Sequence, residues 1–100
     1  MKEIRAQEVE TVTLHCGVTL RLHSLRQPVK PPFLLVMPFI ELPPFIELLG
    51  QDALEEEGVH GCSYLLRASQ AGTGVIHTGF RDLREGTIVL EKDISVESVD

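Results

Sequence analysis

Alternation of apolar and polar side chains marks two segments of the chain as half-buried β-strands. Residues 18–23 alternate strictly, which places the apolar side chains on one face and the polar ones on the other. Residues 87–99 form a longer strand of the same kind, interrupted at Lys92. The apolar residues at alternate positions of this second strand are Ile88, Leu90, Ile94 and Val96. Strands of this type predict antiparallel sheets with one dry face and one wet face.

A third extended unit lies at residues 62–80. Alternation at 62–69 predicts one strand, and the β-branched Val75 and Ile76 favour a second strand over 74–80. The corner between them contains Gly72 and Gly74, which can adopt positive φ without a steric penalty. The unit therefore predicts two strands joined like a hairpin around a glycine-rich corner.

Weaker patterns divide the rest of the chain. Residues 8–15 become regular only from Val12, and Cys16-Gly17 is typical of a short turn or bulge. Residues 24–32 contain three prolines and predict a connection, whereas the continuously apolar residues 33–37 predict a buried strand. Residues 50–58 are acidic and favour a solvated loop, or a single helical turn capped by Asp52.

The number of strands indicates the fold class. About six or seven short strands separated by turn signals are typical of a β-sandwich. The prediction is therefore an all-β chain, folded as an immunoglobulin-like antiparallel β-sandwich of about seven strands in one domain over residues 1–100. A small barrel, or an α+β domain with a helix at 44–57, are the alternatives.

A five-residue repeat occupies the middle of the chain. Pro-Phe-Ile-Glu-Leu occurs at residues 38–42 and again at 44–48. The repeat is too short and has too few copies for a solenoid. Its apolar residues either pack into the core or a sheet edge, or they form a sticky partner surface through Phe39 and Phe45.

Charge and composition narrow the classes of partner. The net charge is −6 and the basic residues are scattered, which argues against nucleic acid and against anionic membranes. The polar N-terminus has no apolar signal core, so the expected location is cytoplasmic, unless the chain is an excised domain of an exported protein. Two cysteines, Cys16 and Cys62, are expected to be small buried thiols, with one disulfide as the alternative.

The sequence contains no recognisable catalytic or metal-binding motif. His15-Cys16 and His60-x-Cys62 contain metal ligands, but their spacing matches neither a zinc ribbon nor a zinc finger. Gly72-Thr73-Gly74 lacks the following Lys-Ser/Thr of a phosphate loop. We therefore expect a protein that is not an enzyme and that uses no cofactor and no metal.

Two of these segments also resemble a known group of proteins. Residues 64–68, the Ala71-Gly72-Thr73 corner and Val75-Ile76 are similar to small bacterial immunoglobulin-like modules. Within that class, residues 12–22 and the same corner, followed by a strand ending at Phe80, resemble the chagasin-type inhibitors of papain-like cysteine proteases. The resemblance covers about half of the chain.

The resemblance implies a binding mechanism in which three loops at one end of the sandwich wedge into a protease cleft. Those loops correspond here to residues 25–32, 57–61 and 81–86. The motifs of the family's loops are Asn-Pro-Thr-Thr-Gly, Gly-x-Gly-Gly and Arg-Pro-aromatic, and this chain does not keep them. It retains some of the glycines around His60 and the arginine at position 81.

The predicted function is a non-catalytic β-sandwich that binds a protein partner, in its sharper form a papain-family cysteine protease. The predicted partner-binding residues are Gly58, His60, Gly61, Phe80, Arg81, Phe39 and Phe45. One alternative is a structural or oligomer-building module that uses residues 38–49, which leaves a homo-oligomer open. Another is a module that binds a small molecule or carbohydrate.

Overall fold

The computed structural model describes residues 2–25, 36–56 and 59–100. These residues form eight strands and a short 3-10 turn at Ala6–Glu8. The strands are β1 (Lys2–Arg5), β2 (Thr11–His15), β3 (Thr19–Leu25), β4 (Val36–Glu41), β5 (Ile46–Glu56), β6 (Val59–Ala68), β7 (Gly72–Asp82) and β8 (Ile88–Val99). Within the described ranges, no helix has the length and apolar content needed to cross a membrane.

The strands form two four-stranded sheets. The first sheet has the order β1-β3-β6-β5, and the second has the order β2-β8-β7-β4. This arrangement confirms the predicted all-β sandwich, with eight strands instead of seven. It is not wholly antiparallel, because β1 pairs parallel to β3 and β2 pairs parallel to β8.

The core lies between the sheets and is formed by the alternating apolar positions. In the first sheet, Leu20 and Leu22 on β3 and Leu66 on β6 are fully buried. In the second sheet, Ile76 on β7 and Ile94 on β8 face them and are also fully buried. Alternation on these strands buries every second side chain, as the pattern at residues 18–23 predicted.

The predicted hairpin at residues 62–80 is wrong in its connectivity. Both strands exist, but β6 belongs to the first sheet and β7 to the second, so residues 69–71 cross between sheets. Alternation shows that a strand is half-buried but does not identify its neighbour, and two strands joined by a corner can each pair elsewhere.

The glycines of this corner serve a purpose other than the predicted one. Among the described glycines, positive φ occurs at Gly17 and Gly86, not at Gly72 or Gly74. A Cβ on Gly72 would lie 2.9 Å from the ring of Phe45. A Cβ on Gly74 would lie 2.8 Å from the side chain of Pro43. Both glycines therefore provide space for the chain that leads into β5.

The predicted acidic loop or helical turn at residues 50–58, and the alternative helix at 44–57, are also wrong. Residues up to Glu56 continue β5, an edge strand that pairs along the length of β6. A register shift between Leu48 and Gly50 interrupts the pairing. Because β5 leaves both faces partly wet and changes register, its sequence shows no clean alternation.

The N-terminal residues contribute one strand that the pattern did not reveal. β1 runs beside β3, and the 3-10 turn then leads the chain across to β2 in the second sheet. Ala6 in this turn is fully buried. A four-residue edge strand with Ile4 as its only apolar residue is too short to show a period.

Candidate functional site

The termini of several strands lie at one end of the sandwich, which we call the loop end. In the first sheet, the pairs Leu25–Gly61 and Glu56–Val59 show where β3, β5 and β6 terminate. In the second sheet, Val36 pairs with Asp82 at the corresponding termini of β4 and β7. Residues 69–71 join the end of β6 to the start of β7 at the opposite end of the sandwich. The start of β6 and the end of β7 therefore lie together at the loop end.

The strand termini that flank residues 26–35, 57–58 and 83–87 therefore all lie at the loop end. This grouping agrees with the three loops that the family resemblance implied. Residues 26–35 and 57–58, including Gly58, lie outside the described residues. The connection between β7 and β8 is the one whose geometry the structure describes.

That connection is a turn braced by Asp82. The backbone amide of Arg84 donates to the carboxylate of Asp82 at 2.8 Å, and the amide of Gly86 donates to the Asp82 carbonyl at 2.7 Å. The amide of Asp82 in turn donates to the carbonyl of Thr87 at 2.8 Å. Gly86 takes φ of 73°, which closes the turn at little steric cost. These bonds hold Leu83 at the tip, where 55% of its surface is exposed.

A β-bulge next to this turn reverses the face of Ile88. Phe80 pairs with Leu90, whereas Arg81 pairs with Ile88, so β8 contains one extra residue. Directly paired residues point to the same face of a sheet, which puts Ile88 beside Arg81 on the outer face. Ile88 is accordingly 43% exposed. Ile88 therefore does not face the core, where the alternation predicted it, although Ile94 and Val96 are buried as predicted.

Arg81 rests on an aromatic ring on the outer face of the second sheet. Its guanidinium carbon lies 5.5 Å from the ring centroid of Phe39 on β4, within cation–π distance. Met37, which pairs with Arg81, is exposed on the same face. The guanidinium therefore has a defined position beside the turn.

A charged cluster continues from Phe39 along the same face. The ring of His77 lies 5.2 Å from that of Phe39, and its Nδ1 bonds to the carboxylate of Asp93. Its Nε2 lies 3.4 Å from Glu91. The hydrogen bond to Asp93 raises the pKa of His77, with further contributions from the negative charges of Asp93, Glu41 and Glu91, while partial burial opposes the shift.

This cluster predicts a pH dependence of stability. A histidine whose pKa is higher in the folded state makes its full contribution to the stability of the fold at pH values below its unfolded pKa of about 6.5. That contribution is lost as the pH rises through the folded pKa. We expect the melting temperature of the wild type to fall by a few degrees more than that of His77→Gln between about pH 6 and pH 8. Thermal unfolding monitored by circular dichroism measures the difference.

Asp93→Asn serves as the matched second variant for this experiment. It leaves the imidazole in place and removes the carboxylate that hydrogen-bonds to it, so its pH profile should approach that of His77→Gln. Parallel profiles for the wild type and both variants would show that this cluster contributes nothing to the pH dependence.

The second connection is flanked by His60 and Gly61 at the start of β6. His60 is exposed, and its Nδ1 lies 3.8 Å from the carboxylate of Glu55. A Cβ on Gly61 would lie 2.2 Å from the carbonyl oxygen of Ser24, so this glycine allows β3 and β6 to approach closely. His60 is therefore accessible at the loop end, whereas Gly61 has a structural role there.

Two of the predicted partner-binding residues are inaccessible in the structure. Phe80 is 3% exposed and faces inward from β7. Phe45 is 6% exposed, belongs to the core and lies at the end opposite the loop end, where its carbonyl accepts from the amide of Ser69. Neither ring can contact a partner in this conformation. The structure does bring Arg81 and Phe39 together.

The two copies of the repeat lie in different sheets. The first copy is in β4, with Phe39 on the outer face, and the second enters β5 through the buried Phe45 and Ile46. Residues 38–49 therefore do not form one surface. Leu48 and Leu49 are exposed on β5, and the homo-oligomer stays a prediction.

The cysteines are free thiols, as expected. Cys62 is buried, and Cys16 is half-buried beside the hydroxyl of Ser98 at 3.3 Å. Burial raises the pKa of the Cys62 thiol. Across residues 2–25, 36–56 and 59–100, no group of three or more His, Cys, Asp or Glu side chains is placed to hold a metal ion.

The residues that the pattern missed are the exposed apolar ones beside Arg81. Met37 was assigned to a buried strand and Ile88 to the inward parity of β8. Leu83 lay within the predicted turn, but nothing in its neighbours distinguished it as the tip. An apolar residue inside a short polar turn was the one available signal for Leu83.

Fold and loop end together define an immunoglobulin-like β-sandwich with a loop-bearing end. Among solved structures, the chain is similar to the cysteine protease inhibitor EhICP2 from Entamoeba histolytica, with a TM-score of 0.72. The two are 17% identical, and the match covers 98% of this chain and 94% of that one. No protein-family model and no curated protein sequence matches the chain. The resemblance to chagasin-type inhibitors is thus confirmed for the fold.

Proposed function

We propose that this chain is a protein-binding module that inhibits papain-like cysteine proteases by placing its loop end in the active-site cleft. The observation that carries the proposal is the structural similarity to a cysteine protease inhibitor over almost the whole of both chains. The proposed partner is a protein, and the proposed contact lies at the loop end.

The β7–β8 turn supports the proposal because its conformation is already fixed. Asp82 is buried and satisfies two backbone amides of the turn through its carboxylate and its carbonyl. A loop ordered before binding loses less conformational entropy when it is immobilised in a cleft. The turn therefore presents Leu83 as a preorganised apolar anchor.

Arg81 supplies the second element of the proposed contact. Buried apolar anchors and arginines account for much of the binding energy of protein interfaces. Arg81 is exposed and positioned on Phe39, two residues before Leu83. Arg81 lies at the position where this chain keeps the arginine of the family's Arg-Pro-aromatic motif.

The direct test is a titration of papain activity with the purified chain, using a fluorogenic peptide substrate. We expect inhibition at one-to-one stoichiometry and a loss of at least about 30-fold in affinity for Leu83→Asp, since truncation of an anchor costs about 2 kcal/mol or more. Complete protease activity at micromolar concentrations of the wild type would end the proposal.

Val18→Asp is the matched control for Leu83→Asp. Val18 is also an exposed apolar residue, but it follows the Cys16-Gly17 turn at the opposite end of the sandwich. The control should inhibit as the wild type does. Equal inhibition by Leu83→Asp and the wild type would remove the turn tip from the contact.

A further inference from the structure

We infer that the protease contact extends beyond the loops onto the outer face of the second sheet, across a row formed by Met37, Arg81 and Ile88. The inference rests on the proposed function and deepens it. The row would contact a surface of the protease at the rim of its cleft, and that surface would combine an apolar patch with a carboxylate.

The first observation is the clustering of exposed apolar side chains. The described residues leave seven large apolar side chains exposed, and three of them, Met37, Leu83 and Ile88, lie at this corner. Met37 is 52% exposed and Ile88 43%. Exposed apolar residues are ordinary when scattered, but their concentration beside a candidate binding turn indicates an interface.

The second observation is the register that creates the row. Met37 pairs with Arg81, and Arg81 pairs with Ile88, so the three side chains lie side by side across β4, β7 and β8. Without the bulge after Phe80, Ile88 would point into the sandwich. The bulge therefore turns an otherwise buried side chain outward, next to the turn that carries Leu83.

The third observation is the charge at the centre of the row. Arg81 stacks on Phe39, and no carboxylate of the described residues lies within ion-pair distance of its guanidinium. The chain carries a net charge of −6, so this exposed cation stands out from its own surface. A carboxylate on the partner would complement it, because a guanidinium binds carboxylates in a two-pronged geometry.

The occupant follows from continuity with the proposed contact. A cleft that accepts Leu83 at the tip must have a rim, and the outer face directly below the turn would lie against it. An apolar rim patch would cover Met37 and Ile88, and a carboxylate within it would meet Arg81. A second copy of this chain is the competing occupant.

The experiment measures inhibition of papain by the Met37→Asp, Ile88→Asp and Arg81→Gln variants of the chain. We expect each aspartate variant to lose at least about tenfold in affinity, about 1.4 kcal/mol. Arg81→Gln should also weaken the dependence of the association rate on salt. The matched control is Val75→Asp, since Val75 is 51% exposed on the same face of β7 but about 20 Å from Arg81 along the strand.

The outcomes separate this inference from the proposed function. If the wild type inhibits and Leu83→Asp is impaired while Met37→Asp and Ile88→Asp inhibit normally, the contact stops at the turn and Arg81, and the extension is wrong. If the wild type does not inhibit, the proposed function and the extension both fall. Loss of affinity in Met37→Asp and Ile88→Asp with a normal Val75→Asp supports the extension.

Two further measurements keep the result interpretable. Thermal unfolding of each variant checks the fold, and Met37→Gln and Ile88→Thr replace any aspartate variant that unfolds. Light scattering of the wild type at assay concentration tests the second copy. A dimer that only the row variants dissociate would assign the row to self-association and overturn the protease assignment.

Discussion

Gly79→Ala is expected to destabilise the fold by about 3 kcal/mol, at the upper end of the usual cost of overpacking. A Cβ at this position would lie 1.9 Å from the carbonyl oxygen of Leu90 and 2.9 Å from the Cα of Glu91. Both contacts are with backbone, which cannot move aside as a side-chain end can. The methyl group would therefore force β7 and β8 apart.

Urea unfolding followed by circular dichroism measures this effect, and Gly50→Ala is its matched control. Gly50 also lies in a strand, but a methyl group added there would have the Leu65 Cβ as its nearest neighbour at 3.9 Å, an ordinary contact. The control should change the free energy of unfolding by no more than about 0.5 kcal/mol. Similar losses in the two variants would show that the approach of β7 to β8 is not the limiting contact.

The position of Gly79 also bears on the candidate site. It lies two residues before Arg81 and next to the bulge that exposes Ile88. Separation of β7 from β8 there would disturb the row and the turn together. A Gly79→Ala protein that remains folded in the cold is therefore expected to lose the proposed protease inhibition because its strands have separated.

Leu66→Ala is expected to cost about 3 kcal/mol of stability. Leu66 is fully buried between the sheets, and truncation of a buried leucine removes its transfer free energy and leaves a cavity. In a chain of this length, such a loss lowers the melting temperature by roughly 10–20 °C. Calorimetry or circular dichroism melting measures the change.

Leu65→Ala provides the neighbouring control on the same strand. Leu65 points to the outer face of the first sheet and is only half-buried. Its truncation should cost less than about 1 kcal/mol, since little surface leaves water at that position. Equal losses for the two leucines would contradict the assignment of inner and outer faces on β6.

Regular strands in the interior of the sheets were predictable because their environment differs between two faces. β3 lies between β1 and β6, and its buried residues Leu20 and Leu22 alternate with partly exposed residues. The acidic end of β5 was not predictable, because an edge strand with a register shift has no single dry face. Its partner, β6, determines its conformation.

The candidate site shows the same division. The turn at residues 81–86 was predicted from its polar residues, and it closes at Gly86 as a turn should. Phe80, a predicted binding residue, is buried, because its face depends on the register with Leu90. Phe45, the other predicted residue of this kind, is also buried, because one copy of the identical repeat lies on the outer face and the other enters the core.

The sequence by itself determined that the chain forms half-buried strands, since alternation at residues 18–23 and in the second half of β8 follows directly from the pleat of a strand. It also determined that a turn follows Arg81. Only the tertiary structure decided that residues 69–71 cross between sheets, and that the bulge opposite Arg81 exposes Ile88. Pairing and register depend on contacts between residues far apart in the chain, which a local pattern does not contain.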